Sequence, residues 1–293
     1  MKVNPIWLKL FKIILLIFRT LNNVKVVNLN LKLNNMRSIN QADISISKIN
    51  VVGGVNSSGK TTVSKLLYCF LKSQIDDESI DYLMDSEDLS DLKDSKISFN
   101  GDFVPSEIFY IDNISVFDLK DLDILRVNHI IHIKEALEND NIDNSSDITS
   151  KIDKIIQCDS LNSAGIKEIG IIKRLLQSNQ LKENSFLIMD EPESSLHPEW
   201  AIKFAEILIL LVKELNIHIY LNSHSPMFIE AISLYSQYYD LLNETNFYLT
   251  QKQDNGKYNF KKINPKNMGE VYENLTSPYD ELDKLKAKIL FKE

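Results

Sequence analysis

The segment Gly54-Val55-Asn56-Ser57-Ser58-Gly59-Lys60-Thr61 constrains this chain more than any other. It fits the spacing GxxxxGK[ST], and its surroundings are right. Ile49 to Val52 is an apolar run that reads as a buried strand, while Val63, Leu66, Leu67 and Phe70 recur with helical periodicity behind the loop. A strand, a glycine loop and a helix in that order bring consecutive backbone N–H groups and the positive end of a helix to one point, which suits phosphate. In that reading Gly59 permits close backbone approach, Lys60 reaches the outer phosphates of a nucleotide, and the Thr61 hydroxyl holds Mg²⁺. Asn56, Ser57, Ser58 and Thr62 complete the candidate contacts of the loop. The competing reading, a chance glycine turn ahead of a helix, leaves the complete motif unexplained.

Two further segments carry chemistry. Phe186-Leu187-Ile188-Met189 is an apolar strand that delivers Asp190 and Glu191 at its C-terminal end, where ligands of parallel sheets bind. Asp190 suits the Mg²⁺ shell and Glu191 suits polarising an attacking water. Alone, a strand ending in two acids is a weak signal; the upstream phosphate loop gives it weight. Ile219-Tyr220-Leu221-Asn222 is a third strand, followed by Ser223-His224-Ser225-Pro226. His224 is placed to hydrogen-bond a terminal phosphate or the attacking water; a capping or core histidine is the bland alternative.

Elsewhere strands alternate with helices, which argues for an α/β sheet with a largely parallel centre. Val24 to Leu33 and Ala42 to Ile46 alternate apolar and polar residues, and Glu107 to Asp112 and Ser115 to Leu119 also read as strands. His129 to Glu138, Ile166 to Leu176 and Glu199 to Leu215 read as helices, the last with Pro198 at its start. Asp140 to Asp147 reads as a loop. Phe247 to Thr250 and Tyr258 to Ile263 flank Asp254-Asn255-Gly256, a hairpin signal. Between Asp76 and Asp94 acids are dense and Lys93 is the only base, as in a solvated insertion.

The formal net charge of −8 gives no general electrostatic grip on nucleic acid. Lys167, Lys173 and Arg174 read as a solvated face before a nucleic-acid patch. His129 and His132 lack the acids or cysteines of a metal site, and Tyr235, Tyr238 and Tyr239 suit packing better than base stacking. Cys69 and Cys158 show no CxxC spacing and suit a reducing cytoplasm.

Together, the three chemical segments resemble the ATP-binding domain of the ABC-type ATPases, over about Val24 to Ile232. Asp190-Glu191-Pro192-Glu193-Ser194-Ser195-Leu196-His197-Pro198 and Ser223-His224-Ser225-Pro226 are similar to the stand-alone branch of SMC-like, OLD-like and AAA-type ATP-binding proteins. Transporter subunits usually carry Asp at the position of His197. The resemblance implies an α/β P-loop NTPase fold, with a mostly parallel central sheet flanked by helices and an antiparallel strand layer at the N-terminus. It implies ATP and Mg²⁺ as ligands, hydrolysis to ADP and phosphate, and a homodimer formed head-to-tail around two nucleotides. It also implies a signature segment, matched by Asn162-Ser163-Ala164-Gly165-Ile166-Lys167, in which Ser163 and Gly165 complete the site of the opposite subunit. An unidentified protein partner, in nucleic-acid maintenance or phage defence, is likewise an implication of the resemblance alone.

The sequence departs from the family pattern in one respect. The family usually has a Gln after a middle strand; none occurs between Glu107 and Leu119, where Asp112 or Asn113 would stand in. Two alternatives stay open. The ATP-binding subunit of a membrane transporter fits the apolar N-terminal segment but not His197 or the missing Gln. A scaffold that binds ATP without hydrolysing it leaves Glu191 and His224 without a purpose. An OLD-type nuclease is disfavoured: the sequence ends 69 residues after His224, with Asp280, Glu281 and Asp283 in a helical pattern.

Residues 1–23 form a separate unit in this reading. Ile6 to Phe18 is apolar apart from Lys9 and Lys12, and is shorter than the roughly 20 residues of a membrane span. Lys2, Lys9, Lys12, Arg19 and Asn23 share one side of a helical wheel, so a basic amphipathic helix is expected, facing an anionic membrane surface, a partner or its own domain. The expected organisation is this segment followed by a single ATPase domain over 24–293, with an acidic insertion near 76–104 and a helical insertion near 120–157.

Overall fold

Ile49–Gly53 is buried at every position, as an apolar strand should be when both faces of a parallel sheet are covered. It is β3 of the computed structural model, which describes residues 29–75, 95–112, 133, 135–137, 147–156, 164–265 and 267–290. Ahead of it come β1 (Leu29–Met36) and β2 (Ile39–Ile46), whose burial alternates. Behind it come α1 (Lys60–Ile75), β4 (Lys96–Asn100), β5 (Ile108–Ile111), α2 (Asp147–Ile156), α3 (Ala164–Gln177) and β6 (Phe186–Asp190). The chain continues through α4 (Pro198–Leu215), β7 (His218–Ser223), α5 (Pro226–Tyr238), β8 (Thr245–Lys252), β9 (Tyr258–Ile263), α6 (Gly269–Leu275) and α7 (Ser277–Leu290).

Among the described residues these strands form one sheet in the order β4-β1-β2-β9-β8-β3-β7-β6-β5. From β8 to β5 every neighbour is parallel. β4, β1 and β2 pair antiparallel, and β9 joins the two halves, antiparallel to β8 and parallel to β2. This is the mostly parallel α/β sheet with an antiparallel N-terminal layer that the resemblance implies. Adjacent residues of each central strand serve opposite faces. Leu187 and Met189 pack with helices α2 to α5, whereas Phe186 and Ile188 pack with α1, β1 and β2.

Three elements extend the reading from sequence. β4 lies inside the stretch read as an acidic insertion; Phe99 is buried and stacks on Phe70 with ring centroids 4.0 Å apart, which draws that strand to the sheet edge. α2 starts at Asp147, the end of the stretch read as a loop, because Ile148, Ile152 and Ile156 recur every fourth residue and are all buried. α5 starts at Pro226, with the Ser225 side chain accepting the Phe228 N–H at 3.3 Å as its cap. The N-terminal segment 1–23, the strand at Ser115 to Leu119, Asn113, His129, His132, Cys158, Ser163 and most of both insertions lie outside the described residues. No helix among the described residues is long and apolar enough to cross a membrane.

Candidate functional site

β3, β7 and β6 are adjacent and parallel, so their carboxyl ends open at one edge of the sheet. The register sets Gly53 beside Ser223 and Asp190 beside Asn222. The three chemical segments of the sequence therefore meet there.

The phosphate loop leaves β3 with the Gly54 N–H donating to the Ser223 carbonyl at 3.2 Å. A Cβ at Gly54 would stand 1.9 Å from Thr250 Oγ1 on β8, so the loop can begin there only as glycine. Gly59 has φ +96°, and a Cβ on it would stand 2.5 Å from Ile39 Cγ1 on β2. The loop then feeds α1, whose first N–H groups, including those of Lys60, Thr61 and Thr62, have no partner within the helix. Lys60 is 4% exposed and folds back over its own loop: Nζ donates to the carbonyls of Gly54 at 2.8 Å and Val55 at 2.9 Å. Burial lowers its pKa, against the opposing pull of Glu191, Asp190 and Glu193.

Thr61 Oγ1 donates to Asp190 Oδ2 at 2.6 Å. The other Asp190 oxygen accepts from Asn222 Nδ2 at 2.9 Å, and Asn222 also donates to Ser64 Oγ on α1 at 2.7 Å. Burial raises the pKa of Asp190, while the two donors work in the opposite direction. Glu191 has φ +53°, an uncommon backbone state for a non-glycine residue, and its N–H donates to the Asn222 carbonyl at 3.0 Å. Its Oε1 lies 3.5 Å from His224 Nδ1 and 3.9 Å from Lys60 Nζ. His224 lowers the pKa of Glu191, and Glu191 raises that of His224.

A cavity of about 480 Å³ opens over residues 56–62, with Arg37, Ser38 and Glu191 on its walls. Ser58 Oγ is buried there without a hydrogen-bond partner. That orphaned hydroxyl, the helix N-terminus, the buried ammonium and the hydroxyl–carboxylate pair of Thr61 and Asp190 fit a phosphate chain with a hard, oxygen-preferring cation.

Asn56, Ser57, Ser58, Gly59, Lys60, Thr61, Thr62, Asp190, Glu191 and His224 are thus brought to one edge of the sheet. Gly165 lies in the first turn of α3, and Asp112 directly follows β5 and is half-buried. Sequence reasoning missed Asn222, Ser64, Arg37 and Ser38. Asn222 left one signal, a polar residue near the end of an apolar strand; the turn at Arg37 and Ser38 left none. Lys173 and Arg174 on α3 are engaged locally: Lys173 pairs with Asp153 at 2.6 Å, and Arg174 Nε donates to the Leu137 carbonyl at 3.1 Å.

Among curated proteins, a "Probable iron chelatin transport ATP-binding protein" of Helicobacter pylori (strain ATCC 700392 / 26695) is similar, with 24% identity over 237 residues, covering 77% of this chain and 86% of that protein. Among solved structures, the SMC head domain from Thermotoga maritima aligns at 13% identity and a TM-score of 0.46, over 81% of this chain and 99% of that one. An ATP-binding cassette of an ABC transporter in its ADP conformation aligns at 14% identity and a TM-score of 0.43, over 84% and 99%. The family described as "AAA domain, putative AbiEii toxin, Type IV TA system" (AAA_21) matches residues 83–230, a range that begins after the phosphate loop and includes Asp190, Glu191 and His224. That match spans just over half of the sequence, and the chain belongs to this AAA-domain family.

Proposed function

We propose that this chain binds ATP with Mg²⁺, hydrolyses it to ADP and phosphate, and dimerises around the nucleotide as a switch for a protein partner. The observation that carries the reading is the convergence of a buried lysine, a hydroxyl–carboxylate pair and a carboxylate–imidazole pair at one sheet edge. The name of the curated relative, an ATP-binding protein, supports the same nucleotide.

Lys60 exchanges its loop carbonyls for phosphate oxygens. The N–H groups at the start of α1 add donors, and Thr61 and Asp190 hold Mg²⁺. The metal, when bound, neutralises charge on the transferring phosphoryl group. Glu191 is held as a carboxylate by His224 and orients the attacking water; His224 sits beside it to meet the terminal phosphate. Ser163 and Gly165 of a second copy close the site from the other side. Residues 24–293 act as one ATPase domain, and residues 1–23 provide a peripheral contact.

Phosphate release and fluorescent-nucleotide titration test this directly. Lys60→Ala should abolish ATP binding with the fold intact, because it removes the phosphate's charge partner and little core volume. Glu191→Gln should keep binding and slow hydrolysis by about 10²-fold or more, the scale of losing a general base. Unchanged affinity in Lys60→Ala would sink the phosphate-loop assignment.

A further inference from the structure

Glu193 is 6% exposed and follows the Asp190-Glu191 pair by one proline, yet the mechanism above does not use it. Its Oε1 accepts the Ser223 hydroxyl at 2.5 Å, and Ser223 Oγ accepts the Ser225 N–H at 3.0 Å. Ser223 closes β7 and Ser225 caps α5. The residues on either side of His224 are therefore tied to each other and to one buried carboxyl group. The Ser223 carbonyl is held as well, by the Gly54 N–H of the phosphate loop.

The second oxygen of Glu193 is buried without a hydrogen-bond partner, and so is one oxygen of Glu168 on α3. A buried acid oxygen with no donor beside it favours a retained proton. Burial first, then Glu193, pushes Glu168 up to about 8, and burial pushes Glu193 up against the pull of Ser223 and His224. Apolar side chains would fill the same space without the cost of desolvating acids. What they would lack is an acceptor for the Ser223 hydroxyl.

We infer that Glu193 is a positioning residue for hydrolysis: it fixes the chain on both sides of His224. This rests on the ATPase reading above. Glu193→Ala and Ser223→Ala, each removing one end of the same hydrogen bond, should both lower kcat about tenfold or more, the scale of a misplaced catalytic group, while KM for ATP stays within about threefold. Glu193→Gln keeps an acceptor for Ser223, so it should recover kcat to within about threefold of the unchanged protein. In nucleotide-free protein the His224 imidazole NMR signals should shift or broaden in both alanine variants and return in Glu193→Gln.

If the unchanged protein releases no phosphate, the ATPase reading falls and takes the kinetic claim with it. If it does release phosphate, unchanged kcat in both alanine variants overturns the inference. So does a His224 signal indifferent to them, or a Glu193→Gln protein as impaired as Glu193→Ala.

Discussion

Glu168 and His218 are buried, and the folded chain holds them in the protonation states that cost least. Glu168 is 2% exposed, and its pKa rises from an ordinary 4.5 to about 8. The folded state therefore binds this proton more tightly than the unfolded chain. Its contribution to stability is complete below 4.5 and lost as pH climbs toward about 8. His218 has the opposite sign. It is stacked on Phe186, lies 4.5 Å from Phe103 between ring centroids, and falls from 6.5 to about 4, chiefly through burial. Its neutral ring costs stability as pH drops from 6.5 toward about 4. Glu168→Gln should accordingly raise Tm more at pH about 8 than at pH about 5. An equal change at both values in thermal scans would mean that Glu168 does not carry the proton.

At the scale of elements, junctions decide the geometry. α4 ends at Asn216, with φ 55° and ψ 38°, and the Asn216 N–H donates back to the Val212 carbonyl. That left-handed turn aims the chain into β7 and so toward His224. Asn216→Ala should cost about 1 kcal/mol through the left-handed backbone, read as a lower urea midpoint, whereas Asn216→Gly should be tolerated. The features legible in the sequence were those written locally: the phosphate loop between β3 and α1, the acids ending β6, and Pro198 at the start of α4. What stayed hidden depends on register between distant segments. Asn222 reaches Asp190 only because β6 and β7 pair as they do, and Gly54 must be glycine because Thr250 on β8 lies against it. The contacts of Lys60 with the Gly54 and Val55 carbonyls were hidden as well, because the motif's spacing says nothing of which acceptors within the loop its lysine can reach.

At the scale of the molecule, the proposed sandwich dimer predicts an assembly state. Glu191→Gln, unable to complete hydrolysis, should shift from monomer to dimer on adding ATP and Mg²⁺, as light scattering behind size exclusion would record. Adding Ser163→Arg should prevent the shift and leave nucleotide binding to the monomer unaltered. A Glu191→Gln protein that binds ATP and stays monomeric at high micromolar concentration would count against the sandwich.

The placement of β3 has a consequence for how the chain comes to life. Ile49 pairs with Ile219 on one side and with Thr245 on the other. The strand that carries the phosphate loop leaves the ribosome well before either of its neighbours. Such distant pairings make folding slow, because a long loop must close before any contact repays it. The nascent chain therefore holds Gly54 to Thr61 without the walls that shape them until β8 has been made. A chain cut short before β8 would expose an unpaired apolar edge along β3, the kind of surface that aggregates.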